Sequence, residues 1–339
     1  MHWIYESGIG EERAALVDGG RIIQARIERE ATGIRPGAVV MARLVRKIGT
    51  GKRAIAKLDT GENAIISALP KTLTEGQDVR VSIVRSAISE SGSETGSELG
   101  RYKYALGEAV GNDVPFAPSP DLKMQIEADD IEIRTCTAYG PDLLSEAGWS
   151  DVMHEAESGH VAFAGGSLVM AATPAMTVID VDGESAPRPL ALDAAKAAAE
   201  AIYRLDIGGS SGIDFPALPG KADRGDVAIA FDAAMLGPFE RTAVNGFGFM
   251  QVVRKYMRPS LLQIVQADTD LAALLSLLRR AERGGGKGAI TLQLTPAMSA
   301  LLESRENWLK RLEKSTGRPV SVSADAACAE AASFLSEHP

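Results

Sequence analysis

The sequence predicts a mixed α/β protein with a small β-barrel near its amino terminus and a compact α+β module at its carboxyl end. Three observations predict it. Between residues 35 and 86, short strand-like runs are punctuated by glycine, and no helical period of useful length develops. Between 167 and 215, two strands, an alanine-rich helix and a further strand follow one another, which implies a right-handed crossover joining parallel strands. Beyond 262, "DLAALLSLLRRAERGG", "GAITLQLTP", "AMSALLESRENWLKRLEKS" and "RPVSVSA" alternate helical and strand-like character. No internal repeat is present.

The chain has 339 residues, of which 45% are hydrophobic and 24% charged, an ordinary globular composition with room for more than one core. No apolar run approaches the roughly 20 residues of a membrane helix. The start, "MHWIYESGIGEERAAL", lacks the basic-then-apolar pattern of a secretory signal, so a cytoplasmic location without membrane contact is expected. Cys136 and Cys328 stand apart from each other and from His154 and His160, so a disulfide framework or a zinc cluster is not suggested. A net charge of −9 argues against indiscriminate coating of nucleic acid but leaves a local basic groove open.

Taken in order, residues 3–30 hold two β-like runs, "RAALV" and "RIIQARIE", around Asp18-Gly19-Gly20, whose glycines suit a tight hairpin. The barrel pattern occupies 35–86. "SAISESGSETGSELG", residues 86–100, has too little apolar content to repay ordering and reads as a mobile linker, followed by the proline-punctuated connector "VPFAPSPDLK". "QIEADDIEIRTCTAY" alternates like a strand, and "PDLLSEAGWSDVMHEAES" carries helical spacing. "SLVMAATPAMTVIDVD" reads as two strands broken at Pro174. "LALDAAKAAAEAIYRLD" is a helix closed by Gly208-Gly209, "SSGIDF" a further strand, and "FGFMQVVRKYMRPSLL" a helix up to Pro259.

The chemistry centres on "TVIDVDG". On a strand, Asp180 and Asp182 share a face, because side chains alternate with a period of two. The crossover brings the end of "GIDF", and with it Asp214, to the same sheet edge, where open α/β sheets bind ligands. Three converging carboxylates repel one another unless a divalent cation neutralises them, and all-oxygen ligation with retained water suits Mg²⁺. Two other readings stay open from spacing alone. Aspartates at strand ends cap helices or bind loop amides, and one of them could be a phosphoacceptor. Gly208 to Gly212 precedes its strand and therefore reads as a helix C-cap and turn, not as a phosphate loop.

Two basic groups could hold a polyanion. Arg43, Arg46, Lys47, Lys52, Arg53 and Lys57 crowd the barrel, as on small barrels that bind single-stranded nucleic acid. Arg254, Lys255 and Arg258 follow the aromatic pair Phe247 and Phe249; the alternative for them is the solvated edge of an amphipathic helix. Residues 35–85 contain no Phe, Tyr or Trp.

In order along the chain, these pieces resemble the catalytic half of the RNase E/G family of bacterial endoribonucleases. "TVIDVDG" is similar to that family's "SIDIN", "RLDIGGSSGIDF" to its "LRDLGGLIVIDF", and "FGFMQVVRKYMRPSL" to its "FGLLEMSRQRLSPSL". Weaker likenesses link "AALVDGGRIIQARIER" to the opening hairpin and residues 35–69 to the inserted S1 barrel. The resemblance implies an RNase H-like segment (1–34 and 101–164) split by an S1/OB-like barrel (35–86) and a flexible linker (87–100). A DNase I-like catalytic core (165–262) and a small α+β domain (263–339) would follow. It implies Mg²⁺, with Mn²⁺ as a substitute, held by Asp180, Asp182 and Asp214, with Asp180 and Asp214 catalytic. The activity implied is hydrolysis of single-stranded RNA to a 5′-phosphate and a 3′-hydroxyl.

Three departures shape the expectation. The segment that senses a 5′-monophosphate is reduced to the linker and connector, so that preference is not expected. The cysteine pair of the family's zinc link is missing between Leu262 and Asp270, so zinc and a zinc-linked tetramer are not expected, while a homodimer stays open. The S1 aromatics fall on Lys57 and Ile66, so the RNA grip should be electrostatic and salt-sensitive. A non-catalytic RNA-binding relative is the rival reading.

Overall fold

The computed structural model describes residues 1–30, 33–49, 51–89, 102–173, 175–286, 288–305, 307–324 and 335–337. Strands β1 (His2–Ser7), β2 (Glu11–Asp18) and β3 (Arg21–Arg29) form a meander. Gly19 and Gly20 both take positive φ in the β2–β3 turn, as the hairpin reading requires. β1 is an additional strand that this reading did not separate; its Trp3, Ile4 and Tyr5 are all buried.

The barrel comprises β4 (Val39–Ile48), β5 (Arg53–Leu58), β6 (Asn63–Ser67) and β7 (Asp78–Arg85). The ribbon β8 (Ile88–Ser89) and β9 (Tyr102–Lys103) leads to β10 (Ala105–Ala109). β10 closes the barrel, parallel to β6 and antiparallel to β7, in the order β10-β6-β5-β4-β7. The barrel thus draws its fifth strand from beyond the expected 35–86, because the short, glycine-containing "ALGEA" carries no strand signal of its own. Of the expected linker, residues 90–100 lie outside the described residues. The interior is filled by small and branched residues such as Ala42, Ala54, Ala64, Ile66 and Val81.

Next come α1 (Leu122–Glu127), β11 (Ile133–Cys136), α2 (Leu143–Glu146) and α3 (Trp149–Ser158). The strand expected over 125–139 contracts to β11, because the Asp121 carboxylate accepts from the Met124 N–H and starts a helix that consumes Gln125–Glu127. β11 adds in parallel to β1.

The largest sheet is built from β12 (His160–Phe163), β13 (Gly166–Ala172) and β14 (Thr177–Gly183), then α4 (Pro187–Arg204), β15 (Gly209–Asp214), α5 (Lys221–Ala234), β16 (Glu240–Arg241) and β17 (Phe249–Arg254). Its order is β12-β13-β14-β15-β17-β16, with β14 and β15 parallel across the α4 crossover. The expected helix over Phe247–Pro259 is instead β17. Met250 and Val252 point into the core while Gln251 and Val253 point away, a period of two that the β-branched pair Val252-Val253 favours. α4 packs between this sheet and β3, and its alanines 194, 195, 198 and 201 are wholly buried. Alanine lets both sheets approach one helix, so Ala15, Ala25, Leu168, Ile179 and Ile213 join a single core.

The chain ends with α6 (Leu261–Ala267), α7 (Thr269–Arg283), β18 (Ile290–Leu294), α8 (Pro296–Glu303), α9 (Asn307–Thr316), β19 (Val320–Ala324) and β20 (Leu335–Glu337). α7–α9 cover the sheet β19-β18-β20 around Leu274, Leu278 and Trp308, and Ile9 from the amino-terminal sheet enters that core. No single helix among the described residues is long and apolar enough to cross a membrane.

Candidate functional site

Helix α4 covers one face of the large sheet. The other face is open: Val169, Val178 and Val253 remain 37%, 38% and 43% exposed at its centre. Along β14, Thr177 and Ile179 point inward while Val178, Asp180 and Asp182 point outward, so the two carboxylates share the open face. In the parallel pairing with β15, Asp180 is the direct register partner of Asp214. The crossover therefore sets these two side chains on neighbouring strands, roughly 5 Å apart in backbone spacing, where β15 ends and midway along β14. Asp182 lies two residues further, about 7 Å along the strand, beside a shallow hollow of Gly165, Ser167 and Ser185. All three aspartates are exposed. None of the three carboxylates accepts a hydrogen bond or joins an ion pair among the described residues. They are not drawn into one tight three-ligand cluster; the group that meets that condition among the described residues is Glu6, Cys136 and Asp142.

The edge beside Asp214 is aromatic. Asp214 pairs with Phe249 across β15–β17. The Phe249 ring covers Gly212, where a Cβ would come within 2.6 Å of it, so a side chain there would push the ring from its present place. The Asn245 side-chain oxygen accepts from the Phe247 and Phe249 N–H groups at 2.8 and 3.1 Å. That turn presents the Phe247 ring 86% exposed.

The second basic group is not beside the carboxylates. Arg254 pairs with Gly209, at the opposite end of β15 from Asp214, five positions or roughly 16 Å away. It also points to the covered face, where its Nη1 donates to the Ile202 and Ile207 carbonyls at 3.3 and 3.0 Å and satisfies the end of α4. Arg258 lies 3.7 Å from Asp206, and Lys255 is exposed. Burial draws the guanidinium pKa of both Arg254 and Arg258 down, and Asp206 opposes the shift.

The barrel cations stand where an outer face requires. Arg43 is opposite Lys57 and Arg53 opposite Ile48, and these cations, with Arg46 and Lys52, are exposed. Lys47 is half-buried, and Arg43 is paired with Asp78 at 3.2 Å. Of the two positions that hold aromatics in the S1 resemblance, Lys57 is on the surface and Ile66 is wholly buried inside the barrel. An aromatic does reach this module from outside 35–85: Phe116, 54% exposed, lies under the Arg80 guanidinium at 4.1 Å. It belongs to the proline connector, whose sequence gives no sign of its destination.

Glu6, Cys136 and Asp142 are held by arginine. Arg13 reaches Glu6 at 2.9 Å and Glu11 at 2.7 Å. Arg279 reaches Glu6 at 2.7 Å and Asp142 at 2.6 Å. Arg283 lies 3.1 Å from both. Burial alone would raise the Glu6 and Asp142 carboxyls, but the guanidiniums hold both below their ordinary values. Burial pushes the Cys136 thiol up, toward its neutral form. With the charges already matched, this is an ion-pair network that fastens α7 to the amino-terminal sheet.

Comparison of the chain with known protein families and with curated proteins returns no match.

Proposed function

We propose that this protein is a divalent-metal-dependent endoribonuclease of the RNase E/G type acting on single-stranded RNA. The observation that carries the reading is the Asp180–Asp214 register pair: two exposed, unpartnered carboxylates on adjacent parallel strands, at the carboxyl end of β15 and the middle of β14, on an uncovered sheet face. Such a pair fits Mg²⁺, which takes a few carboxylate oxygens and keeps several waters; Asp182 would join through water. Bound there, the cation would polarise a phosphodiester and lower the pKa of an attacking water. Phe247 and Phe249 would stack on bases beside the scissile bond, and the exposed barrel cations would track the RNA backbone without reading sequence. On this reading the first sheet with α1–α3 is the RNase H-like segment, the barrel its S1/OB-like insertion, and 165–262 the DNase I-like core.

The looser spacing of Asp182, and the distance of Arg254 and Arg258 from the aspartates, favour the rival: a non-catalytic RNA-binding relative. Cleavage of a fluorescent single-stranded RNA in Mg²⁺ or Mn²⁺ separates the two. The native chain should cut, and Asp180→Asn/Asp214→Asn should lose at least about 100-fold, given that even outer-shell metal partners cost about 10–100-fold. Equal cleavage by the double variant, or none by the native chain in either metal, would refute the nuclease reading.

A further inference from the structure

At the opposite end of the large sheet from the aspartates, a cleft of about 490 Å³ opens between β3, the end of α4 and the segment after β17. Its walls carry Arg26, Arg254, Lys255 and Arg258 against only Asp129 and Asp206. The lining is therefore net positive.

Arg26 and Arg254 are held by rings and hydrogen bonds, Arg26 Nη1 also lies 3.6 Å from Asp129, and Arg258 has only the distant Asp206 as an ion-pair partner among the described residues. Arg26 stacks over the buried Trp3 ring at 4.7 Å, and Arg254 over Tyr203 at 5.4 Å. Arg26 donates one Nη2–H to Gln24 at 3.1 Å, and Gln24 in turn donates to Asp206 at 2.8 Å. Asp206 is thus fixed by an amide, and it lies 3.7 Å from both Arg26 Nε and Arg258 Nη1, too far for a hydrogen bond. Arg26 Nε, Arg254 Nε and Arg258 Nη1 are all buried without an acceptor. Leaving such donors unmade is costly, and charged donors are the costliest. What the cleft itself presents is the positive charge of three guanidiniums and the exposed Lys255, and a group with several oxygens and a double negative charge suits that lining, as a phosphate does.

We propose that this cleft binds a phosphate group, either as free phosphate or on a ligand of about mononucleotide size. Tyr203 and Met257 on the same walls, both half-buried, offer apolar surface for the remainder of such a ligand. The site is separate from the proposed metal site, since the Gly209 end of β15 borders it and the Asp214 end does not.

Calorimetric titration of the full chain with inorganic phosphate and with adenosine 5′-monophosphate tests this, in EDTA so that no divalent cation contributes. Saturable binding is expected, weakened at least tenfold by Arg258→Gln. Equal affinity for the two probes would assign the free ion, and tighter adenosine 5′-monophosphate binding would assign the nucleotide; either supports the proposal. Should Arg258→Gln fail to fold, Lys255→Gln at the exposed rim and the native melting temperature replace it. Phosphate should raise that temperature beyond sodium chloride of equal ionic strength. Absence of binding by both probes, or binding unchanged in Arg258→Gln, would overturn the proposal. So would saturation by an oligonucleotide lacking terminal phosphates with no response to either probe, which would give the cleft to the RNA backbone. Loss of RNA cleavage in the aspartate variants bears only on the nuclease reading.

Discussion

Asp182 is the residue on which the proposed chemistry is most open to adjustment. The RNase E/G resemblance places an amide there, and this chain adds a third negative charge to the face shared by Asp180 and Asp214. Asp182→Asn removes that charge while keeping an oxygen. It should leave cleavage within about tenfold and raise the Mg²⁺ concentration needed for half-maximal rate, because fewer anions then hold the cation; a rate titrated against Mg²⁺ reads both. Arg13 is a different case. At 1% exposure it bridges Glu6 and Glu11. Arg13→Ala leaves buried carboxylates under-compensated, and a loss of about 3–5 kcal/mol is expected in urea unfolding.

Among the elements, α4 works by being small on every side. Ala198 is wholly buried in the layer between the two sheets. Ala198→Leu should therefore destabilise by about 1–3 kcal/mol or more, measured by thermal unfolding, even though leucine is an excellent helix former in isolation. β17 shows the converse. The run "FMQVVRKYM" carries apolar residues that fit a helical as well as a strand period, and only pairing with β15 and β16 resolves it as a strand. The same pairing moves Arg254, Lys255 and Arg258 away from the aspartates. On the barrel, Arg46 and Arg53 are exposed on adjacent strands. Arg46→Ala/Arg53→Ala should weaken single-stranded RNA binding and lower the slope of log K against log salt by about 1.4, if each releases one phosphate counterion at about 0.7 per contact. Fluorescence anisotropy across a salt series checks it.

At the scale of the whole molecule, the arginine network around Glu6 and Asp142 ties the carboxyl-terminal module to the amino-terminal sheet and makes stability pH-dependent. Both carboxyls sit below their ordinary values of 4.5 and 3.8 in the folded chain. The unfolded chain thus binds protons more readily, so their contribution is fully present above those values and is lost as pH falls through the folded ones. Urea midpoints followed from about pH 7 to about pH 3 should stay level near neutrality, as far as this network governs them, and fall below about pH 4.5. In Arg279→Gln the neutral plateau should be lower and the acid fall shallower.

Local pattern alone determined much of this protein. The β2–β3 hairpin follows from its two glycines, the β14–α4–β15 crossover from the order of apolar runs, and the shared face of Asp180 and Asp182 from a period of two. Those features depend on neighbours in the chain. Tertiary structure decided what depends on distant partners: the closing of the barrel by β10, the strand identity of β17, and Phe116 beneath Arg80. It also placed Arg26 beside Arg254 and Arg258 in one cleft, although more than two hundred residues separate them. No local propensity encodes such meetings, because the free energy that fixes them is released only when segments far apart in the chain pack together.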